Sequence, residues 1–476
     1  MLSACGPSQV KPDATATQVA ADIFATRTAE APTLTPTSTP TPTATPTLTP
    51  IPEPVTVRVA PVGSRDYPSL EAAVEAVPPG STLMLEPGTY RLEESLVIRK
   101  PLRLVGAGMD QTEIVSEAKG YVVRFSGDGP FAAEDITFRH ESLAEADVVE
   151  VHGGEIAFAR CRFTGAVLVG RAGLRLQGST TGTVRNCVVE KSTYLATGIL
   201  VEGQAQPTLE ENACTDNGIG IGYGGNAGGV ARQNECSGNT EYGIVVADWA
   251  QPTLEGNVCN YSMLAGIDYK DNAGGVARRN ECSRNGNAGI TVGEQAQPTL
   301  EGNVCTDNER VGIGYVGNVG GVARQNECSG NGKHGITVGE QAQPTLEGNL
   351  CTDNGDSGIL AAGQAQPTLE KNVCTDNEAA GIGYLANTGG VARQNECAGN
   401  LFGITVVGQA QPTLEENVCT ENEVGIAYFE NAGGVARQNE CSGNWIGIAV
   451  AETANPDLVD NDCHDNTEED IRDLRP

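Results

Sequence analysis

Aromatic side chains make up 4% of this 476-residue chain, and methionine and histidine occur four times each. So few bulky rings exclude a large globular core built around aromatics. No stretch reaches the ~18 consecutive apolar residues that a membrane-spanning helix needs. The four histidines (His140, His152, His334 and His464) stand in no triad-like or metal-ligand spacing, and C-x-x-C zinc patterns are missing. Basic residues are also scarce: 30 Lys and Arg face 61 Asp and Glu, for a net charge of −31. That balance excludes nucleic acid and anionic membrane surfaces as partners. It also disfavours an anionic polysaccharide unless cations intervene.

What the chain has in abundance is repetition. From Cys214 through Cys236 and Cys259 to Cys463, a cysteine recurs every 22 or 23 residues. An Asn stands two positions before each, and an Ile, usually as Gly-Ile, stands 15 positions before (Ile221, Ile244, Ile267 and onward to Ile448). Self-similarity at this period marks a solenoid whose repeats bury their apolar faces against one another. The units lack the Leu-x-x-Leu-x-Leu of leucine-rich repeats. They hold short apolar strands broken by Gly/Asn turns, as in Gly289–Asn308. The reading is an all-β right-handed parallel β-helix of about 15 coils.

The Ile-to-Cys spacing is constant, so the strand-bearing part of each coil admits no insertion. Length varies between the Cys and the next Gly-Ile, which reads as a surface turn. Two coil types alternate, one carrying Q-A-Q-P-T-L-E-x-N-x-C and the other N-x-G-G-V-A-R-x-N-E-C. Stacking them alternates Glu with Arg (Glu210, Arg232, Glu255, Arg278), a ladder expected to hold register. Glycine coils place Tyr two residues after Ile (Tyr223, Tyr269, Tyr315, Tyr384, Tyr428) and Ala where proline coils place Leu. Large beside small keeps a narrow lumen at constant volume, so these tyrosines belong to the core. Stacked cysteines have parallel Cβ vectors, which disfavours disulfides, and read as buried thiols.

The alternation breaks once, where two proline coils follow each other. Glu347 then stacks on Glu370 and Asp353 on Asp376, beside Lys371. These four carboxylates are the candidate Ca²⁺ ligands, although a repeat duplication without consequence explains the break and is preferred. No other cofactor is expected.

Residues 55–180 repeat least. Ser69–Val77 puts Leu70, Ala73, Val74 and Val77 on one helical face, ahead of Leu83-Met84-Leu85-Glu86-Pro87-Gly88 and Leu102-Arg103-Leu104-Val105-Gly106. This resembles the opening of the pectinesterase and pectate-lyase-like β-helix superfamily, in which a short helix caps the first coil. Phe131–Phe138 and Arg160–Gly165 are similar to pectinesterase segments. The resemblance would place that family's Q-A-V-A on Asp147-Val148-Val149-Glu150, its acid/base Asp on Leu168 and its nucleophilic Asp on Leu174. Neither carboxylate is present, and ester hydrolysis without base or nucleophile has no mechanism. The repeats from 187 on resemble those of carbohydrate-binding and sugar-hydrolysis β-helix proteins.

Leu2-Ser3-Ala4-Cys5-Gly6 resembles a bacterial lipobox, with Cys5 as the acylated residue. The expected order is a truncated lipoprotein signal (1–5), a disordered Thr/Pro-rich linker (6–54), the β-helix (55–466, with regular repeats from 187) and an acidic tail (467–476). Aromatic and charged residues gather before each Gly-Ile: Tyr194, Tyr242, Tyr261, Lys333, His334, Phe402 and Trp445. They are the candidate ligand-binding face. Together these features describe a monomeric, extracellular, lipid-anchored bacterial surface protein that touches the membrane only through its anchor. It would bind a polysaccharide or cell-surface glycan without catalysis. The competing expectation is a polysaccharide lyase or glycoside hydrolase on the same scaffold.

Overall fold

The computed structural model describes residues 52–62, 67–127, 129–193 and 195–476. Cys5, linker residues 6–51 and Tyr194 lie outside them. The described chain is a right-handed parallel β-helix with three strands per coil. It is longer than expected: the longest sheet has 18 strands rather than about 15, roughly 80 Å at the usual strand spacing.

Each sheet is marked by the residue that it turns inward. The Leu/Ala sheet stacks Leu209 on Ala231, Ala231 on Leu254 and Leu254 on Ala277. The Ile sheet stacks Ile221, Ile244, Ile267 and Ile290. The Cys sheet stacks the cysteines, but from Glu235 to Leu350 it narrows to single-residue bridges. All three inward columns are buried, and so are the five tyrosines of the glycine coils. The volume compensation read from Tyr/Ala against Val/Leu therefore holds. It leaves the five tyrosine hydroxyls buried without a partner. Cys161 to Cys463 are free thiols, and burial pushes those of Cys236 and Cys282 up.

The first coil is capped by one helix, Leu70–Ala76, whose first turn is satisfied by the Ser69 hydroxyl accepting from Ala72 N–H at 3.2 Å. Leu70, Ala73, Val74 and Val77 are buried, as their spacing predicts. At the other end, Glu469–Asp473 forms a further strand beside Ile446–Val450, within the stretch expected as an acidic tail.

The asparagines are structural. Asn257, Asn280 and Asn303 each donate a side-chain amide to the next Asn Oδ1 at 2.9 Å. A second ladder runs three residues after the cysteines, through Asn285, Asn308, Asn331 and Asn354. This corrects the reading of the Cys-to-Gly-Ile segment as wholly free. Its middle is a buried hydrogen-bonded column, and only the residues around that column vary. Three left-handed backbone positions recur in the coils, three before the Cys, two after it and four after the Ile (Gln233, Lys371; Asp216, Asp307; Asp248, Asp271). That geometry accounts for the Gly, Asp and Gln found there.

Candidate functional site

The outer face of the Ile sheet carries the chain's unusual polar residues. Asp147, Glu150 and His152 lie on Ala146–His152, Arg175 on Ala172–Gln177, and Arg124 on Gly120–Phe125. Register puts Arg124, Glu150 and Arg175 in one cross-strand column. Asp147, fully buried, accepts from Ala172 N–H at 2.6 Å, Arg171 Nη1 at 2.9 Å and Arg175 Nε at 3.1 Å. Burial pushes its carboxyl up against the opposing pull of Arg175. Burial acts the same way on Glu150, but Arg124, donating at 2.5 Å, and its other partners outweigh it and hold that carboxyl down. His152 Nε2 lies 3.2 Å from Glu150. The Arg124 guanidinium covers the Tyr121 ring at 3.8 Å.

This cluster occupies the segment where the resemblance to pectinesterases lapses. In the sequence Asp147 and Glu150 are mismatches to the family's Q-A-V-A, and it is the strand register that brings them to Arg175. The available signal was a strand-length apolar segment carrying charges on both sides of Val148-Val149. Leu174 points into the core, whereas Leu168 is exposed. Neither can take part in acid/base chemistry.

The expected aromatic face is split. Trp445 and Tyr261 are exposed (48% and 58%). Tyr242, His334 and Phe402 instead open strands of the Ile sheet and are half-buried. The reason lies in the following glycine: a Cβ on Gly243 would sit 2.6 Å from Gly266 O and 2.8 Å from Cys236 O. Coils therefore close tightly there, and the strand starts one residue before the Gly. Phe402 packs edge-on against Phe429 at 5.7 Å, beside Val424, Ala427 and Ile446. His334 Nδ1 accepts from Ser357 N–H at 3.3 Å, and burial pushes its pKa down. Lys333 is exposed.

Trp445 borders a surface hollow of about 680 Å³ that also meets Leu401, Asp376, Glu378, Glu421 and Glu423. Arg472 lies 5.5 Å from its ring. The hollow thus offers an exposed indole beside several carboxylates.

The charge ladder forms as Arg-to-preceding-Glu pairs: Arg278 with Glu255 at 2.9 Å, Arg324 with Glu301 at 3.1 Å and Arg393 with Glu370 at 2.7 Å. Where the alternation breaks, Glu347 faces Glu370, and Lys371 pairs with Glu370 at 3.3 Å. Among the described residues no ion pair reaches Glu347. Asp353 and Asp376 sit in left-handed turns. No three His, Cys, Asp or Glu side chains gather as a ligand set among the described residues, so the four candidate Ca²⁺ ligands are not drawn together.

No curated protein matches the chain. Among solved structures it is similar to a periplasmic alginate epimerase, at 12% identity over 86% of this chain and 83% of that one, with a TM-score of 0.40. It is also similar to the catalytic unit of an α-1,3-glucanase from Streptomyces thermodiastaticus strain HF3-3, at 17% identity over 62% and 63%, TM-score 0.45. A third is a pectin methylesterase from carrot, at 18% identity over 52% and 82%, TM-score 0.32. Residues 147–293, 261–392 and 358–471 match the family model described as right handed beta helix region, and the chain belongs to that family.

Proposed function

We propose that this β-helix is a non-catalytic carbohydrate-binding protein, held at the bacterial cell surface through Cys5. The observation that carries the binding reading is the hollow beside Trp445. An exposed indole stacks on the apolar face of a sugar ring, while the carboxylates of Glu378, Glu421 and Glu423 accept from sugar hydroxyls. The acidic surround favours a ligand without negative charge. The polar column on the Ile sheet is saturated by its own ion pairs, which suits a rigid face more than a reacting one.

The second reading, a polysaccharide lyase or glycoside hydrolase, draws support from Asp147 and Glu150. They are two carboxyls pushed in opposite directions within one cluster, a pattern that acid and base pairs use.

A glycan array with and without Ca²⁺, run beside reducing-sugar and unsaturated-product assays, separates these readings. Binding without product is expected. Product formation would transfer the function to the enzyme reading, and absence of any glycan binding would overturn the proposal. For the anchor, protein expressed behind a lipoprotein signal is expected in the detergent phase, and Cys5→Ser in the aqueous phase. Equal partition of both would remove the anchor.

A further inference from the structure

In a chain of near-identical coils, departures from the repeat concentrate between Cys236 and Cys282. Trp249 replaces the Gln that the other proline coils place there (Gln295, Gln341, Gln364, Gln409). Tyr261 occupies the left-handed turn position that is Asp or Gly in most coils, at φ +59. Ser262 replaces the Asn of the second ladder. Asp268 stands where glycine coils carry Gly222, Gly314, Gly383 or Ala427.

Three of these departures, at Tyr261, Ser262 and Asp268, cost the scaffold something. A bulky ring at positive φ is strained. At Ser262 the asparagine ladder stops: Asn239 donates to Cys214 O but finds no amide in the next coil, and the buried Ser262 hydroxyl has no partner. Asp268 is a half-buried carboxyl bonded to the Thr291 hydroxyl and facing Tyr242. Lapses from local consistency of this kind belong at functional sites.

The same two coils expose apolar side chains at both ends of the Ile sheet. Trp249 is 61% exposed and Met263 67%, and Tyr261 and Leu264 are exposed beside them in sequence. Tyr261 is braced by Arg284, which donates to its hydroxyl at 2.9 Å. Trp249 lies in the turn that leaves the Ile sheet, whereas Tyr261 and Leu264 lie in the turn that enters it. The strand between these turns, Tyr242–Val246 in one coil, is about 15 Å long at the extended rise per residue. Asp268 and Tyr242 lie on the sheet face between the two turns.

We propose that these two coils form a subsite for a neutral hexopyranose oligosaccharide lying along the strands, from one turn to the other. Its sugar rings stack on Trp249 and Tyr261, and its hydroxyls donate to Asp268. Glu241, Asp248, Asp268 and Asp271 outnumber Lys270 and Arg284 around it, which disfavours uronates. The proposal deepens the glycan-binding reading and rests on it, but it uses a different part of the solenoid from the hollow at Trp445.

The test reverts the coils to their own repeat. Trp249→Gln with Tyr261→Asp, and Asp268→Gly alone, are made beside Ser262→Asn and Trp445→Ala. Each is titrated calorimetrically with neutral gluco- and manno-hexasaccharides and with oligouronates, and its melting temperature is measured. The reverted double variant is expected to lose neutral-sugar affinity at least tenfold, and Asp268→Gly several-fold, with melting unchanged or raised. Ser262→Asn is expected to raise the melting temperature by repairing the ladder. Wild-type affinity in the double variant, with binding lost in Trp445→Ala, overturns the subsite and leaves the glycan-binding reading standing. A preference for oligouronates overturns the subsite as well. Binding to no glycan at all overturns both.

Discussion

Asn349 donates its side-chain amide to Asn372 Oδ1 at 2.9 Å, while its own Oδ1 accepts from Asn326 at the same distance. Both neighbours are fully buried, and Asn349 Oδ1 also accepts from the Asn326 backbone N–H at 3.0 Å, so removing the amide strands that buried N–H and takes one acceptor from the Asn326 side chain. Asn349→Ala is expected to cost about 3 kcal/mol, since each buried unsatisfied group costs about 1–3 kcal/mol. Chemical denaturation measures it. A loss below about 0.5 kcal/mol would show that the ladder carries little of the stability.

The ion-pair ladder is expected to matter far less. Arg393 and Glu370 are joined at 2.7 Å, but the Arg side chain is nearly half exposed. Arg393→Gln should lose under about 1 kcal/mol, and the loss should fade in molar salt. Glu347→Gln should be neutral or slightly stabilising because its in-register neighbour is Glu370. Denaturation at low and high salt tests both.

The thiol column should resist reagents until the fold opens. Cys214 to Cys441 are buried, so a reagent cannot reach these thiols while the coils stay closed. Native protein is expected to take up almost no alkylating agent over Cys161–Cys463, whereas denatured protein without reductant alkylates all of these positions. Mass spectrometry counts them. Most of these cysteines found already paired would contradict the stacked geometry.

Asp268 gives a pH dependence with a definite sign. Burial, named first among its causes, raises its carboxyl pKa in the folded state, against the Thr291 hydrogen bond and Lys270 and with the help of Asp271. A carboxyl raised on folding favours the fold while protonated. That contribution is present in acid and is lost as pH rises through the raised value. Asp268→Asn is therefore expected to melt higher than wild type at neutral pH, with the gap closing towards acid. A gap that widens in acid would contradict the assignment.

The solenoid was readable because its scaffold residues recur where geometry leaves no choice. Ile221 and Cys214 face the lumen, and the Asn two before each Cys bonds to its copy in the next coil. The second asparagine ladder is harder to read because Asn285 or Asn308 is one fixed residue inside a segment whose other positions vary. Tyr242, His334 and Phe402 were expected in turns because they precede Gly-Ile. The close approach of Gly243 to the neighbouring coil draws that residue into the strand instead. The Asp147 cluster was beyond reach, since its members are separated by up to 51 residues and meet only through the register of three coils.

Isothermal titration of wild type and Trp445→Ala with the best ligand from the glycan array, beside thermal unfolding of both, tests the central claim most directly. An exposed ring that binds sugar contributes to affinity and little to the fold, so about a tenfold loss of affinity is expected with melting shifted by no more than about 2 °C. Unchanged affinity, or equal loss of affinity and stability, would contradict the claim that the Trp445 hollow is a glycan-binding site.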